Sequence, residues 1–225
     1  MRQLLQRDGV RVVAAVRTRT PDLDTLAANP AASNGRLIVT PLSDVGDDAA
    51  VKAWARALKE EHKVERVGTA ILNAGVYGER VSVDNLASEE MVRVYRTNTL
   101  GPLLCARYLR EFGLIGGKGG AKQPSLVAAV SSKVGSVADN GSGGGYAYRA
   151  SKAALNVAWK SLSIDLAGEG VKAVLLHPGY VRTRMTNGAG LIDVDESVGG
   201  MLRVLESGLP EAGGWRDYKN DVVPW

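Results

Sequence analysis

Five short apolar runs, each separated from the next by a stretch long enough to hold a helix, leave this chain few folds to choose from. They fall at Val10 to Val16, in RLIVTPLSDV, from Val67 to Leu72, in SLVAAVSS and from Val171 to Leu176. None alternates apolar with polar residues over its length, which is the pattern of strands buried on both faces of a parallel sheet. Helices are predicted between them, from Asp48 to Lys63, from residue 87 to 112, from Tyr146 to about Ala167, and from about Val194 onward. An α/β architecture of three layers, one domain over residues 1–225, follows from that order. Several runs end in small or polar residues: Asn73, Ala74 and Gly75 after the third, Ser131 and Ser132 at the end of the fourth, His177, Pro178 and Gly179 after the fifth. Open α/β sheets bind ligands at that carboxyl edge.

The stretch GYAYRASKAALNVAWKSLSIDLAGEG carries Tyr148 and Lys152 four residues apart, on one face of its helix. A fixed ammonium beside a phenol favours the phenolate, so the pair is expected to lower the tyrosine pKa and to give an acid usable near neutral pH. Spacing alone is also met by a tyrosine lying beside a solvated lysine. A second polar residue, Asn98, interrupts an otherwise apolar helix one turn before Pro102, where a kink is expected.

Taken together, NAG at residues 73–75, Asn98, VSSKVGS, YAYRASKAALN and HPGYVRT resemble the short-chain dehydrogenase/reductase family, from about Arg2 to Trp225, and within it the carbonyl-reductase-like branch. The resemblance implies a Rossmann-like, doubly wound parallel sheet and a cytoplasmic NADP-dependent oxidoreductase that interconverts a carbonyl and an alcohol. Asn98, Ser132, Tyr148 and Lys152 match the catalytic positions, with Ser131 the alternative serine. Cofactor contacts are implied at Asp44, Asn73, Ala74, Gly75, Tyr148, Lys152, Pro178, Gly179 and Thr183, with residues 180–193 as a mobile loop over the site. Where an acidic residue would bind the ribose of NAD, the chain has Arg17, with Arg19 nearby. A guanidinium there favours NADP, with NAD the lesser choice, although two surface arginines would look the same. For Asp44 a helix N-cap, shared among Ser43, Asp44 and Asp47, is the other reading. Family members pair through the helix that carries the tyrosine, so a homo-oligomer is expected, with Ala153, Val157 and Leu162 as outer apolar positions.

One departure stands against these matches. The family's first strand and its TGxxxGxG turn have no counterpart, and comparison places Met1 part-way along the first helix, as in an N-terminally truncated domain. That strand would lie at the sheet centre, and its loss deprives two interior strands of a partner. The runs GGKGG and GSGGG follow no strand and open no phosphate-binding turn, and are read as loops. A competing reading is a non-catalytic Rossmann-like scaffold or regulatory protein that has lost the phosphate loop.

Cys105 is the only cysteine, which excludes an internal disulfide and a cysteine metal cluster. The net charge of +4 is scattered among acidic residues instead of forming a basic run, which argues against nucleic acid. No apolar run reaches the roughly 18 residues of a membrane span. The expected partner is a small carbonyl or alcohol substrate.

Overall fold

The computed structural model describes residues 1–32, 35–79, 81–116, 124–207 and 213–225. Residues 117–123, most of the glycine-rich loop expected at 116–124, lie outside them. In chain order the elements are α1 (Arg2–Leu5), β1 (Val12–Val16), α2 (Pro21–Ala27), β2 (Leu37–Pro41), α3 (Asp48–Glu60), β3 (Thr69–Leu72), α4 (Ser88–Tyr95), α5 (Gly101–Glu111), β4 (Ser125–Val130), α6 (Tyr146–Asp165), β5 (Val171–His177), α7 (Val194–Glu206) and β6 (Trp215–Asp217).

All strand pairings between these elements are parallel, but the sheet comes in two parts. One holds β1 and β2, the other β3, β4, β5 and β6 in that order. Among the described residues no strand pairs with the free edge of β1 or of β3. The effect is visible on β3, where Thr69 and Ile71 remain exposed beside a buried Ala70. Each part carries its own apolar cluster. Leu5, Val12 and Ala32, with Leu26 and Leu37 beside them, support the small sheet, and Val13 also reaches the main cluster, so the parts share a core.

Strict alternation along the two central strands builds the three layers. On β4 and β5, Val127, Ala129, Ala173 and Leu175 face Leu155 and Trp159 of α6 and Leu109 of α5. Ala128, Val174 and Leu176 face the other way, against Val204 of α7. On the same outer side α1 is fastened to α7, with Arg2 bidentate to Asp195 at 2.8 and 3.0 Å and Arg7 paired with Glu206.

The helix expected from residue 87 to 112 is present but interrupted. Pro102 has no N–H for the Asn98 carbonyl four residues back. The chain relieves this with a π turn over Arg96–Leu100, in which the Gly101 N–H reaches the Arg96 carbonyl five residues behind. Gly101 then presses on the segment after β2, where a Cβ would stand 2.8 Å from Val45 Cγ2. On α3 the N-cap is Asp47, whose Oδ1 accepts from the Ala50 N–H at 2.7 Å, and not Ser43 or Asp44.

Candidate active site

The serines at the end of β4 separate into two roles. Ser131 is buried and its hydroxyl donates to Asn156 Oδ1 at 2.6 Å, an internal bond between sheet and α6. Ser132, its side chain on the opposite side of the extended chain, is partly exposed and hydrogen-bonds the Tyr148 phenol. Of the two, only Ser132 faces the tyrosine.

Lys152 lies one turn along α6 from Tyr148, and 96 % of it is out of solvent. Its Nζ is 5.8 Å from the centre of the Tyr148 ring and donates to the Val130 carbonyl at 2.8 Å. Burial lowers the ammonium pKa to about 8. The phenol moves opposite to the sequence expectation: burial pushes it up to about 12, with the nearby Tyr77 adding to the rise and the Ser132 bond opposing it. The i,i+4 spacing sets the distance between the groups, but the lysine hydrogen bond goes across to β4, and desolvation outweighs attraction through that gap.

Asn98 is fully buried on the π turn. Its Oδ1 accepts from the Val76 N–H at 2.8 Å, while Nδ2 donates to the Val76 carbonyl at 2.8 Å and to Ser151 Oγ at 3.0 Å. One amide thus ties the turn after β3 to α6. That turn brings Gly75 to the same place: a Cβ there would lie 3.4 Å from Asn98 Oδ1 and 3.7 Å from Lys152 Nζ. Asn73 and Ala74, next to it, are exposed. Asn98, Ser132, Tyr148 and Lys152 therefore converge with the 73–75 turn at the carboxyl ends of β3 and β4.

The remaining expected positions are spread along that edge. Arg17, after β1, is exposed and has no ion-pair partner among the described residues, whereas Arg19 is bound to Asp24 at 2.5 Å. Asp44 Oδ1 accepts from the Gly46 N–H at 2.8 Å, and the side chain borders a cleft of about 410 Å³ with Arg93, Arg96 and Ser88. Pro178 gives its carbonyl to Ser197 Oγ at 2.6 Å. Gly179 is required as glycine, since its φ is +84° and a Cβ would stand 2.7 Å from Ile192 Cδ1. Thr183 is exposed and starts a short helical turn with Thr186. The loop expected to be mobile is tied at its base by Leu191 N–H to the Tyr180 carbonyl, Arg182 N–H to the Ile192 carbonyl, and an Arg182–Asp193 ion pair at 2.8 Å.

Two supports escaped the sequence reading. Asn156 continues the 148, 152 spacing by one more turn, so the same periodicity would have found it. Arg149 donates to the Gly144 carbonyl, the Val134 carbonyl and Ser142 Oγ at 2.7–3.0 Å, stapling the glycine-rich loop ahead of α6. Its i,i+1 position beside Tyr148 gives no such signal.

The residues present fit one half of a dinucleotide. Glycine at 75 leaves a bare backbone wall beside a buried ammonium, a cradle that a Cβ would fill. For the diphosphate half the described residues offer no strand–glycine-turn–helix unit, and the glycines at 143–145 are occupied by their bonds to Arg149 and Asn140.

A family model described as short chain dehydrogenase matches residues 1–191. The chain is 43 % identical over 162 residues to C-signal of Myxococcus xanthus, covering 71 % of this chain and 93 % of that protein. It is 34 % identical over 182 residues to 1-hydroxy-2-glutathionyl-2-methyl-3-butene dehydrogenase of a Rhodococcus species, covering 79 % and 76 %. Among solved structures, NADPH-bound carbonyl reductase from chicken fatty liver superposes with a TM-score of 0.86 at 32 % identity, over 100 % of this chain and 92 % of that one. Matched by a family model over most of its length and by relatives above 30 % identity, the chain belongs to the short-chain dehydrogenase/reductase family of NAD(P)-dependent oxidoreductases.

Proposed function

We propose that the chain interconverts a carbonyl and an alcohol with NADP as cofactor and Tyr148 as general acid and base. The observation that carries this reading is the convergence on one phenol: Ser132 hydrogen-bonds it from the segment just after β4, and Lys152 flanks it from the same helix. When bound, NADPH supplies the hydride. Ser132 orients the substrate oxygen by hydrogen bonding, and Tyr148 gives it the phenolic proton. With a pKa of about 8, Lys152 remains mostly protonated at neutral pH and stabilises the phenolate left behind. Asn98 holds the 73–76 turn against α6, and so keeps Gly75 beside that ammonium. Arg17, free of ion pairs among the described residues, is the side chain available to a 2′-phosphate, which supports NADP over NAD. The chicken reductase named above is NADPH-bound. Asp44, Asn73, Ala74, Pro178, Gly179 and Thr183 complete the cofactor contacts in this reading. Self-association through α6 belongs to it as well: Val157 and Ile164 are 70 % and 62 % exposed, although Leu162 packs inward against the main cluster.

A second reading has support of its own. The split sheet and the likeness to a protein named C-signal favour a non-catalytic or regulatory role. One experiment separates the two. Titration with NADPH and with NADH is followed by nucleotide fluorescence, and turnover is assayed with simple aldehydes. The enzyme reading expects saturable binding that favours NADPH, and a turnover that Tyr148→Phe lowers about a hundredfold or more. Near-normal turnover in that variant refutes the role of Tyr148, and absent binding by the folded protein supports the non-catalytic reading.

A further inference from the structure

Among the described residues Tyr77 is the one ring packed on the Tyr148 ring, and none of the roles above uses it. The two rings lie 4.7 Å apart between centroids with planes tilted by 32°, within the range where aromatic pairs attract. The backbone that delivers Tyr77 is fixed on both sides. Before it, Val76 is bonded to the Asn98 amide through both N–H and C=O. After it, Gly78 has φ of +76° and lies so close to α4 that a Cβ would stand 2.8 Å from Val94 Cγ2. The next N–H, of Glu79, donates to Glu90 Oε1 at 3.0 Å, and Glu90 is itself held by Arg93 at 2.7 Å. At the start of α6, Gly145 has φ of +58°, and a Cβ there would come 3.8 Å from the Tyr77 hydroxyl. The ring is therefore placed by backbone anchors and not by chance packing, yet 38 % of the residue remains exposed.

We propose that Tyr77 is a positioning residue: it holds the Tyr148 phenol in place, and its remaining face receives the flat apolar part of the substrate, so that aryl carbonyl compounds are the preferred class. The inference rests on the oxidoreductase reading above for its substrate half. A carbonyl oxygen at the Tyr148 hydroxyl brings its substituent within reach of a ring stacked 4.7 Å away. A planar substituent extends that stack, whereas a flexible chain gains less from it.

The test compares wild type, Tyr77→Phe, Tyr77→Leu and Tyr77→Ala, with far-UV circular dichroism confirming that each is folded. With NADPH, benzaldehyde and hexanal are the probes. Tyr77→Ala and Tyr77→Leu are expected to raise KM for benzaldehyde about tenfold, to leave KM for hexanal within about twofold, and to lower kcat for both. Tyr77→Phe, which keeps the ring, should restore all three to within about threefold of wild type. Equal changes in KM for the two aldehydes, or none, overturn the substrate assignment. A wild type that reduces neither aldehyde counts against the oxidoreductase reading and with it the substrate half. The positioning half has its own readout, which needs no turnover. Tyrosinate absorbance is titrated at high pH, and Tyr148 is isolated by subtracting the matching Tyr148→Phe protein. The groups facing this phenol are Ser132 just after β4, Lys152 on its own helix and Tyr77 on the turn after β3. With the covering ring removed, Tyr148 should titrate at lower pH in Tyr77→Ala and Tyr77→Leu than in wild type or Tyr77→Phe. Coincident curves in all four proteins overturn the positioning role.

Discussion

Lys152→Met should make the folded state more stable while abolishing turnover, and the gain should depend on pH in a way the structure sets. An ammonium that is 4 % exposed has its pKa lowered from 10.5 to about 8. Between those values the unfolded chain holds the proton and the folded one does not, so wild-type stability rises with pH there. At pH 7 both forms are protonated and the penalty is nearly complete, about 3 kcal/mol for 2.5 units at 1.36 kcal/mol each. At pH 9.5 it falls to about 1 kcal/mol. Methionine has no charge to desolvate and a similar length, but it leaves the Val130 carbonyl without its 2.8 Å partner, which costs about 1 kcal/mol at either pH. The stability difference between variant and wild type should therefore shrink by about 2 kcal/mol from pH 7 to pH 9.5. Urea unfolding of both proteins at the two pH values measures it, and the subtraction removes every other titrating group, Tyr148 included. A difference that stays constant across that range would show that the ammonium is not the source of the strain.

His177 accepts from the Lys133 N–H through Nδ1 at 3.3 Å, which requires the neutral ring, and burial lowers its pKa from 6.5 to about 4. The unfolded chain takes up this proton first, so up to about 3 kcal/mol of stability should be lost as pH falls from 6.5 to 4, and His177→Gln should flatten that slope in urea titrations. Gly75→Ala meets only ordinary contacts in the protein, at 3.4 and 3.7 Å, and so should leave the thermal midpoint within about 2 °C of wild type. It should nevertheless weaken NADPH binding tenfold or more by fluorescence titration; unchanged affinity removes Gly75 from the cofactor wall. Trp225 stacks on buried Trp215 at 5.6 Å, and its carbonyl accepts from Ser136 Oγ and the Ala138 N–H, both at 3.1 Å. Trp225→Ala should lower stability by about 1 kcal/mol and shift Trp215 emission to the red, and blue-shifted or unchanged emission would exclude that contact as the shield.

What the sequence made legible was whatever depends on neighbours along the chain. Continuous apolar runs marked β1 to β5, whereas the three-residue β6 lies in no such run, and the 148, 152 spacing marked one face of α6. Features set by contacts across the fold were not legible. Adjacent serines look alike as letters, and only the burial of Ser131 against Asn156 assigns Ser132 to the phenol. The sense of the Tyr148 shift was misjudged because the pairing rule counts distance along a helix, whereas the lysine hydrogen bond is made to a strand. Pro102 announced a bend, but its form, a π turn that keeps Asn98 facing Val76, depends on packing against Val45 and α6.

The split in the sheet sets two of the positions proposed for the cofactor, Arg17 and Asp44, apart from the rest of the candidate site. Asn98, Ser132, Tyr148 and Lys152 all sit on or beside β3, β4 and α6, in the larger part, and the hydrogen bonds of Asn98 to Val76 and Ser151 and of Lys152 to the Val130 carbonyl stay within it. Arg17 and Asp44, the positions assigned to the far end of the cofactor, follow β1 and β2 in the smaller part. The two parts are joined by α3 on α5, where Val51 and Ala55 pack against Leu104, Cys105 and Tyr108 and the Tyr108 hydroxyl donates to Asp48 at 2.6 Å, and by Val13 in the core and Val45 and Gly46 against the π-turned helix. If the proposed roles hold, a change at Val45 or Gly46, beside Asp44, should move nucleotide affinity measured by NADPH fluorescence, whereas a change around Tyr148 should move turnover; a Val45→Ala protein with unchanged affinity would refute the first.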